Sequence, residues 1–89
     1  MGKKVILCID DEEIILQALE EQLNNIFGEE YEIETSDSGE DALEYFKELI
    51  DEGINVPVVI SDYIMPGMKG DELLKEIHAL SPGSLKILL

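Results

Sequence analysis

The sequence predicts an α/β domain built on a doubly wound parallel sheet. Three observations carry that prediction. Short runs rich in β-branched and apolar residues, Val5–Ile9, Val56–Ser61 and the closing "LKILL", are set apart by longer stretches with helical apolar spacing. The strand-helix alternation repeats from one end of the 89 residues to the other, without an internal repeat, low-complexity tract or linker. Alternation of this kind gives parallel strands joined by right-handed crossovers, with helices on both faces of the sheet. The length suits a single domain spanning residues 1–89.

Each element has its own reason. "VILCI" is apolar without alternation, as in a strand buried on both faces. Ile14, Ile15, Ala18, Leu19, Leu23 and Ile26 follow at helical spacing and stop near Gly28, which predicts a first amphipathic helix. "YEIET" alternates Tyr31, Ile33 and Thr35 against Glu32 and Glu34, the pattern of a strand with one wet face at a sheet edge. Ser38, followed three residues later by Asp41, has the spacing of a helix N-cap, and Ala42, Leu43, Phe46, Leu49 and Ile50 form the stripe of that second helix up to Gly53. Pro57 is tolerable near the start of the third strand. Leu73, Leu74, Ile77 and Leu80 mark a third helix closed by Ser81-Pro82-Gly83, and "LKILL" opens a fourth strand.

Composition narrows the function. Six basic residues against 21 acidic ones give a net charge of -15, which repels nucleic-acid phosphates and favours cations and basic partner surfaces. A single cysteine, Cys8, lies inside an apolar run, so no intrachain disulfide is available; it is read as a buried small hydrophobe. The opening "MGKKVILCID" fits neither a signal peptide nor a membrane span, and a cytoplasmic location is expected. His78 is read as a surface residue, and Met65 and Met68 as packing residues beside a Pro-Gly turn.

Doubly wound sheets hold their ligand sites beyond the carboxyl ends of the strands, where the strand order reverses. Two places qualify: Asp10-Asp11 after the first strand and Asp62 after the third. An acid at a strand end is commonly a solvated loop residue or a helix cap. If strands one and three are neighbours, however, the three carboxylates converge, and like charges ~4 Å apart repel by about 4 kcal/mol per pair at an effective dielectric near ~20. Such a cluster either raises a carboxylate pKa or holds a cation. Hard oxygen donors suit Mg2+, which often completes its shell with phosphate oxygens, and a carboxylate can itself be a phosphoryl acceptor. Glu12 and Glu13 suit the first turn of a helix, and Glu12 is within reach of the outer shell of such a metal.

"VILCIDDEE", "SDSGEDAL" and "VVISDYIMPGMKGDELL", in this order, resemble the receiver domain of two-component response regulators, and the last segment is the most specific of the three. The resemblance implies a flavodoxin-like receiver fold and a phospho-accepting signalling domain that is not an enzyme. In it Asp62 would accept a phosphoryl group from a histidine kinase or phosphotransfer protein. It also implies Mg2+ held by Asp10, Asp11, Asp62 and the backbone carbonyl of Ile64, with Pro66, Gly67 and Gly70 shaping the loop beside them. The family pattern continues past a fourth strand with a helix, a Lys-bearing strand and a last helix, so the match implies a receiver incomplete after β1-α1-β2-α2-β3-α3-β4. Self-association or domain exchange through an uncovered sheet face and the fourth-strand edge is the corresponding expectation. A receiver-like fragment whose role is assembly is the rival reading. A phosphohydrolase ranks below both, because such enzymes place a second acid two residues after the nucleophile, where Ile64 stands.

Overall fold

The structure, a computed structural model, describes residues 4–89; the expectations that fall on residues 1–3 lie outside the described residues. The elements run β1 (Lys4–Ile9), α1 (Glu13–Phe27), β2 (Glu32–Ser36), α2 (Gly39–Asp51), β3 (Asn55–Ser61), α3 (Gly70–Leu80) and β4 (Leu85–Leu88). The strands form one parallel sheet in the order β2-β1-β3-β4. The chain steps outward from β1 to β2, then returns past β1 to β3, which places the reversal of strand order between β1 and β3. The alternating strand, β2, sits at an edge as its polar residues require.

Helices cover the two sheet faces unequally. On one side α2 and α3 close a core of Val5, Leu7, Ile9, Val56 and Val59 from the sheet with Ala42, Leu43, Phe46, Leu49, Leu73 and Ile77 from the helices. On the other, α1 alone covers Ile6, Cys8 and Ile33, with Val58 and Ile60 half-buried beside them. Burial pushes the Cys8 thiol up to about 11, with Glu20 adding to the shift, so this residue is an inert apolar group at neutral pH.

The α1 stripe read from the sequence needs correction. Leu16 is the buried residue of the helix, at 6% exposure, whereas Ile14 is 80% exposed and Ile15 and Ile26 are exposed as well. Leu16 and Leu23, at i and i+7, pack on the sheet with Leu19 half-buried between them, while Ile14, Ile15 and Ile26 stand off that line on the solvent side. Leu16→Ala is therefore expected to cost about 2–5 kcal/mol of stability, and Ile14→Ala within about 0.5 kcal/mol of nothing, measured by urea unfolding of both variants.

Two local features follow from chemistry at single residues. The Ser38 hydroxyl accepts from the Asp41 N–H at 3.1 Å, and this caps α2 as the sequence spacing required. Pro57 lies inside β3, next to a register shift: Lys4 faces Asn55, but Ile6 faces Val58, so β3 carries one extra residue there. A proline has no N–H to give to the ladder, and an irregularity of this kind is where a central strand can accommodate it.

Candidate functional site

Register brings the acids together. Ile9 pairs with Ser61 at the last rung of the β1–β3 ladder, so the residues that follow, Asp10 and Asp62, leave the sheet side by side. The Asp62 N–H donates to the Ile9 carbonyl at 2.9 Å, and the Asp10 N–H to the Ser36 carbonyl of β2 at 3.2 Å. These bonds fix both backbones at the carboxyl edge of the sheet. Asp11, one residue later on the chain leading to α1, completes the cluster. One carboxylate oxygen from each of Asp10, Asp11 and Asp62 lies within 4.8 Å of the others.

The three acids differ in environment. Asp10 is buried, at 6% exposure, Asp62 is half-buried and Asp11 is exposed. The Glu12 N–H donates to Asp10 Oδ1 at 2.9 Å, which orients that carboxylate and opens the chain into α1. Burial, first, holds the Asp10 carboxyl above its ordinary value of 3.8; the Glu12 N–H pulls it down, and the charges of Asp62 and Asp11 push it up again. The charges acting on Asp10 are thus both negative. Because the folded-state value lies above 3.8, this contribution favours the fold fully below pH 3.8 and is lost as pH rises through the raised value. At neutral pH the cluster is a local cost that a bound cation would relieve.

The residues fit Mg2+. With bonds of ~2.0–2.1 Å, two oxygens on one octahedral ion stand about 3–4 Å apart, and the carboxylate oxygens lie within 4.8 Å of one another. The donor set is all oxygen and two of the three acids are reachable from solvent, as a partly hydrated ion requires. Asp10→Asn, which retains the Oδ1 acceptor for Glu12, is expected to stabilise the metal-free chain by on the order of 1 kcal/mol, or a rise in Tm of about 4–8 °C. In the wild type Mg2+ should raise Tm, because a ligand bound only by the folded state must; in Asp10→Asn that increment should shrink. Equal Mg2+ increments in the two proteins would contradict this assignment.

The loop from Asp62 to Gly70 is shaped by close backbone approaches. Met65 turns inward and is buried in the α2/α3 core, whereas the Ile64 side chain is 77% exposed. Pro66 and Gly67 form the exposed turn, and Gly67 has φ +76°, a conformation that disfavours side chains. The Gly70 N–H donates to the Tyr63 carbonyl at 3.1 Å, closing the loop at the start of α3. A Cβ at Gly70 would collide with the Asp62 carbonyl, so this glycine sets how near α3 approaches the acid. Glu12 is exposed at the N-cap of α1, adjacent to the cluster.

One positioning residue was missed in the sequence. A Cβ at Gly39, the first residue of α2, would stand 2.9 Å from the Met68 carbonyl, so α2 packs directly on the loop that carries Asp62. The only trace of it in the sequence is a glycine directly after the capping Ser38. His78 also has a partner that spacing did not reveal: Lys86 Nζ lies 2.9 Å from His78 Nδ1 and donates to the Ser81 carbonyl at 2.8 Å.

Known proteins share both the pattern and the architecture. The model of the response regulator receiver domain family matches residues 6–89. The chain is 36% identical over 92 residues to the two-component response regulator ORR4 of Oryza sativa subsp. indica, an alignment covering 85% of this chain and 38% of that protein. It is 32% identical over 81 residues to the sensor kinase CckA of Brucella abortus, covering 91% of this chain and 8% of that one. The chain therefore spans less than two fifths of the length of these curated relatives. Among solved structures, a response regulator receiver domain protein of Clostridium thermocellum aligns with a TM-score of 0.79 and 35% identity, over 96% of this chain and 63% of that chain. The chemotaxis protein CheY4 of Vibrio cholerae aligns with a TM-score of 0.79 and 29% identity, over 99% and 68%. With the flavodoxin-like order of strands, the acid-tipped β1 and β3 and a family match over nearly its whole length, the chain belongs to the response regulator receiver domain family.

Proposed function

We propose that this receiver domain accepts a phosphoryl group on Asp62, from the phosphohistidine of a histidine kinase or phosphotransfer protein, with Mg2+ in the acidic cluster. The observation that carries the reading is the β1–β3 register, which sets Asp62 beside Asp10 and Asp11 at the reversal of strand order. Receiver domains are signalling domains, and the chain's part is alignment and charge placement. An oxygen of Asp62 forms the new O–P bond as the P–N bond of the donor breaks, and the electron pair stays on the imidazole, which takes up a proton from water. Asp10 and Asp11 would hold the ion together with Asp62 and the Ile64 carbonyl, and Glu12 would face its outer shell. The ion supplies neutralisation of phosphoryl charge.

The half-buried setting of Asp62 suits the task. Its backbone is tied to Ile9, and the Ser61 hydroxyl donates to its carbonyl at 3.0 Å, so the carboxylate is presented from a fixed stem. Replacing one negative charge by nearly two, with added acceptor oxygens, would load a loop that packs on α2 through Gly39 and on α3 through Gly70. A net charge of -15 supports a partner with a basic surface rather than nucleic acid. No helix among the described residues is long and apolar enough to cross a membrane, and a cytoplasmic setting belongs to the same reading.

Incubating the chain with Mg2+ and acetyl phosphate tests this directly. Intact mass should show one added phosphoryl group, labile at alkaline pH and lost when the Mg2+ is chelated beforehand. Failure of the folded protein to form any adduct in Mg2+ would remove the phosphoacceptor reading.

A further inference from the structure

Among the described residues three polar side chains are buried: those of Asp10, Ser61 and Ser84. Asp10 belongs to the acidic cluster, and the Ser84 hydroxyl ties the turn before β4 to the start of β3 by donating to the Val56 carbonyl at 2.6 Å. Ser61 is 0% exposed and stands at the last rung of β3, directly before Asp62. Strand alternation puts it on the same face as Val59, a residue of the α2/α3 core, where packing alone calls for an apolar side chain. Burying a hydroxyl there is unfavourable unless it finds a hydrogen bond. It donates to the Asp62 carbonyl at 3.0 Å.

That carbonyl belongs to the peptide joining Asp62 to Tyr63, and the peptide is held on both sides. Its oxygen accepts from the Ser61 hydroxyl, and its N–H donates to the Leu89 carbonyl at 3.3 Å. The oxygen faces the start of α3, where a Cβ on Gly70 would collide with it. Gly70 and Ser61 are both buried, so solvent has little access to replace the hydroxyl. The peptide before Asp62 is fixed separately, through the Asp62 N–H on the Ile9 carbonyl. The plane after Asp62 is therefore the one that sets how the Ile64 carbonyl, two residues on, stands relative to the Asp62 carboxylate.

We propose that Ser61 is a positioning residue for phosphoryl acceptance, its hydroxyl locking the Asp62–Tyr63 peptide plane and with it the relation between the Asp62 carboxylate and the Ile64 carbonyl. The role rests on the phosphoacceptor reading of Asp62. A serine that only fills space could be alanine without consequence. In Ser61→Ala the carbonyl instead loses its donor inside a closed seam, and an unpaired buried acceptor favours rotation of the plane toward another partner. Rotation takes the Tyr63 N–H off Leu89 and shifts two oxygens that the reaction needs in register. A misplacement of about 1 Å is enough to slow a reaction by on the order of a hundredfold, so even a partial rotation is measurable.

The test compares the whole chain with Ser61→Ala, Ser61→Thr and Ser61→Cys, far-UV circular dichroism reporting the fold. In the metal-free proteins, amide exchange followed by NMR should be about tenfold faster at the Tyr63 N–H of Ser61→Ala and unchanged at the Asp62 N–H. With Mg2+ and acetyl phosphate, intact mass should show a saturating rate of uptake about tenfold lower in Ser61→Ala, at a half-saturating acetyl phosphate concentration within about twofold of the wild type. Ser61→Thr keeps the hydroxyl and should recover to within about threefold of the wild-type rate. Ser61→Cys, nearly the same shape with a weak donor, should fall between serine and alanine, and it decides if the threonine methyl disturbs the strand. If the folded wild type takes up no phosphate, the phosphoacceptor reading fails, and Tyr63 exchange still decides whether Ser61 holds the peptide. A folded Ser61→Ala with wild-type uptake or wild-type Tyr63 exchange, or a folded Ser61→Thr as slow as alanine, would each overturn the role of Ser61 and leave that of Asp62 standing.

Discussion

Asp62→Asn is expected to abolish phosphoryl uptake while leaving the fold intact. The amide oxygen that replaces the carboxylate oxygen is a poor nucleophile, and deletion of a covalent nucleophile costs on the order of a thousandfold or more in rate. The fold should survive because what fixes residue 62 is its backbone: its N–H on the Ile9 carbonyl and its own carbonyl under the Ser61 hydroxyl. Neither bond involves the side chain being changed. The substitution also removes one of three neighbouring negative charges, so metal-free stability should stay level or rise. Mg2+ should stabilise the variant less than the wild type, since one of its carboxylates is gone. Intact mass after acetyl phosphate treatment, with circular dichroism as the folding control, gives the answer. An adduct of unchanged stoichiometry in the folded variant would place the phosphate on another residue, and Asp11, the exposed member of the cluster, would be the first to examine.

The acids of the candidate site were legible in the sequence because Asp10-Asp11 and Asp62 each directly follow a strand run rich in apolar residues. Apolar runs ending in acids locate Asp10, Asp11 and Asp62 at strand tips, whereas their convergence depended on β1 and β3 being neighbours, a condition that the strand order β2-β1-β3-β4 meets. The edge position of β2 was equally readable, since Glu32 and Glu34 need a wet face. The α1 stripe was not. Ile14 and Ile15 are as apolar as Leu16, and periodicity cannot choose among adjacent hydrophobes when a helix meets its sheet along a narrow line. Gly39 and the Lys86–His78 contact escaped for another reason: both join residues brought together only by packing, α2 on the β3–α3 loop and β4 on α3.

Phe46→Ala should be the most damaging single truncation in the chain, at about 3–5 kcal/mol. Phe46 is the largest of the fully buried side chains, at 0% exposure, and projects from α2 into the face that also receives α3. The reason lies in how unevenly the core is divided. Among the described residues the α2/α3 face gathers twelve buried ones and the α1 face four. A domain of this size holds roughly 5–15 kcal/mol in total, so a cavity in the dominant half consumes a large fraction of it, and the thin α1 half has little with which to compensate. The loop bearing Asp62 should suffer with the core, because Met65 and Gly39 attach it to the same cluster and to α2. Urea unfolding should show a lower midpoint with an unchanged slope, and amide exchange in α2, β3 and the Asp62 loop should accelerate together. A loss below about 1 kcal/mol would mean that the core closes over the missing ring, and that the α2/α3 face is less tightly packed than its burial indicates.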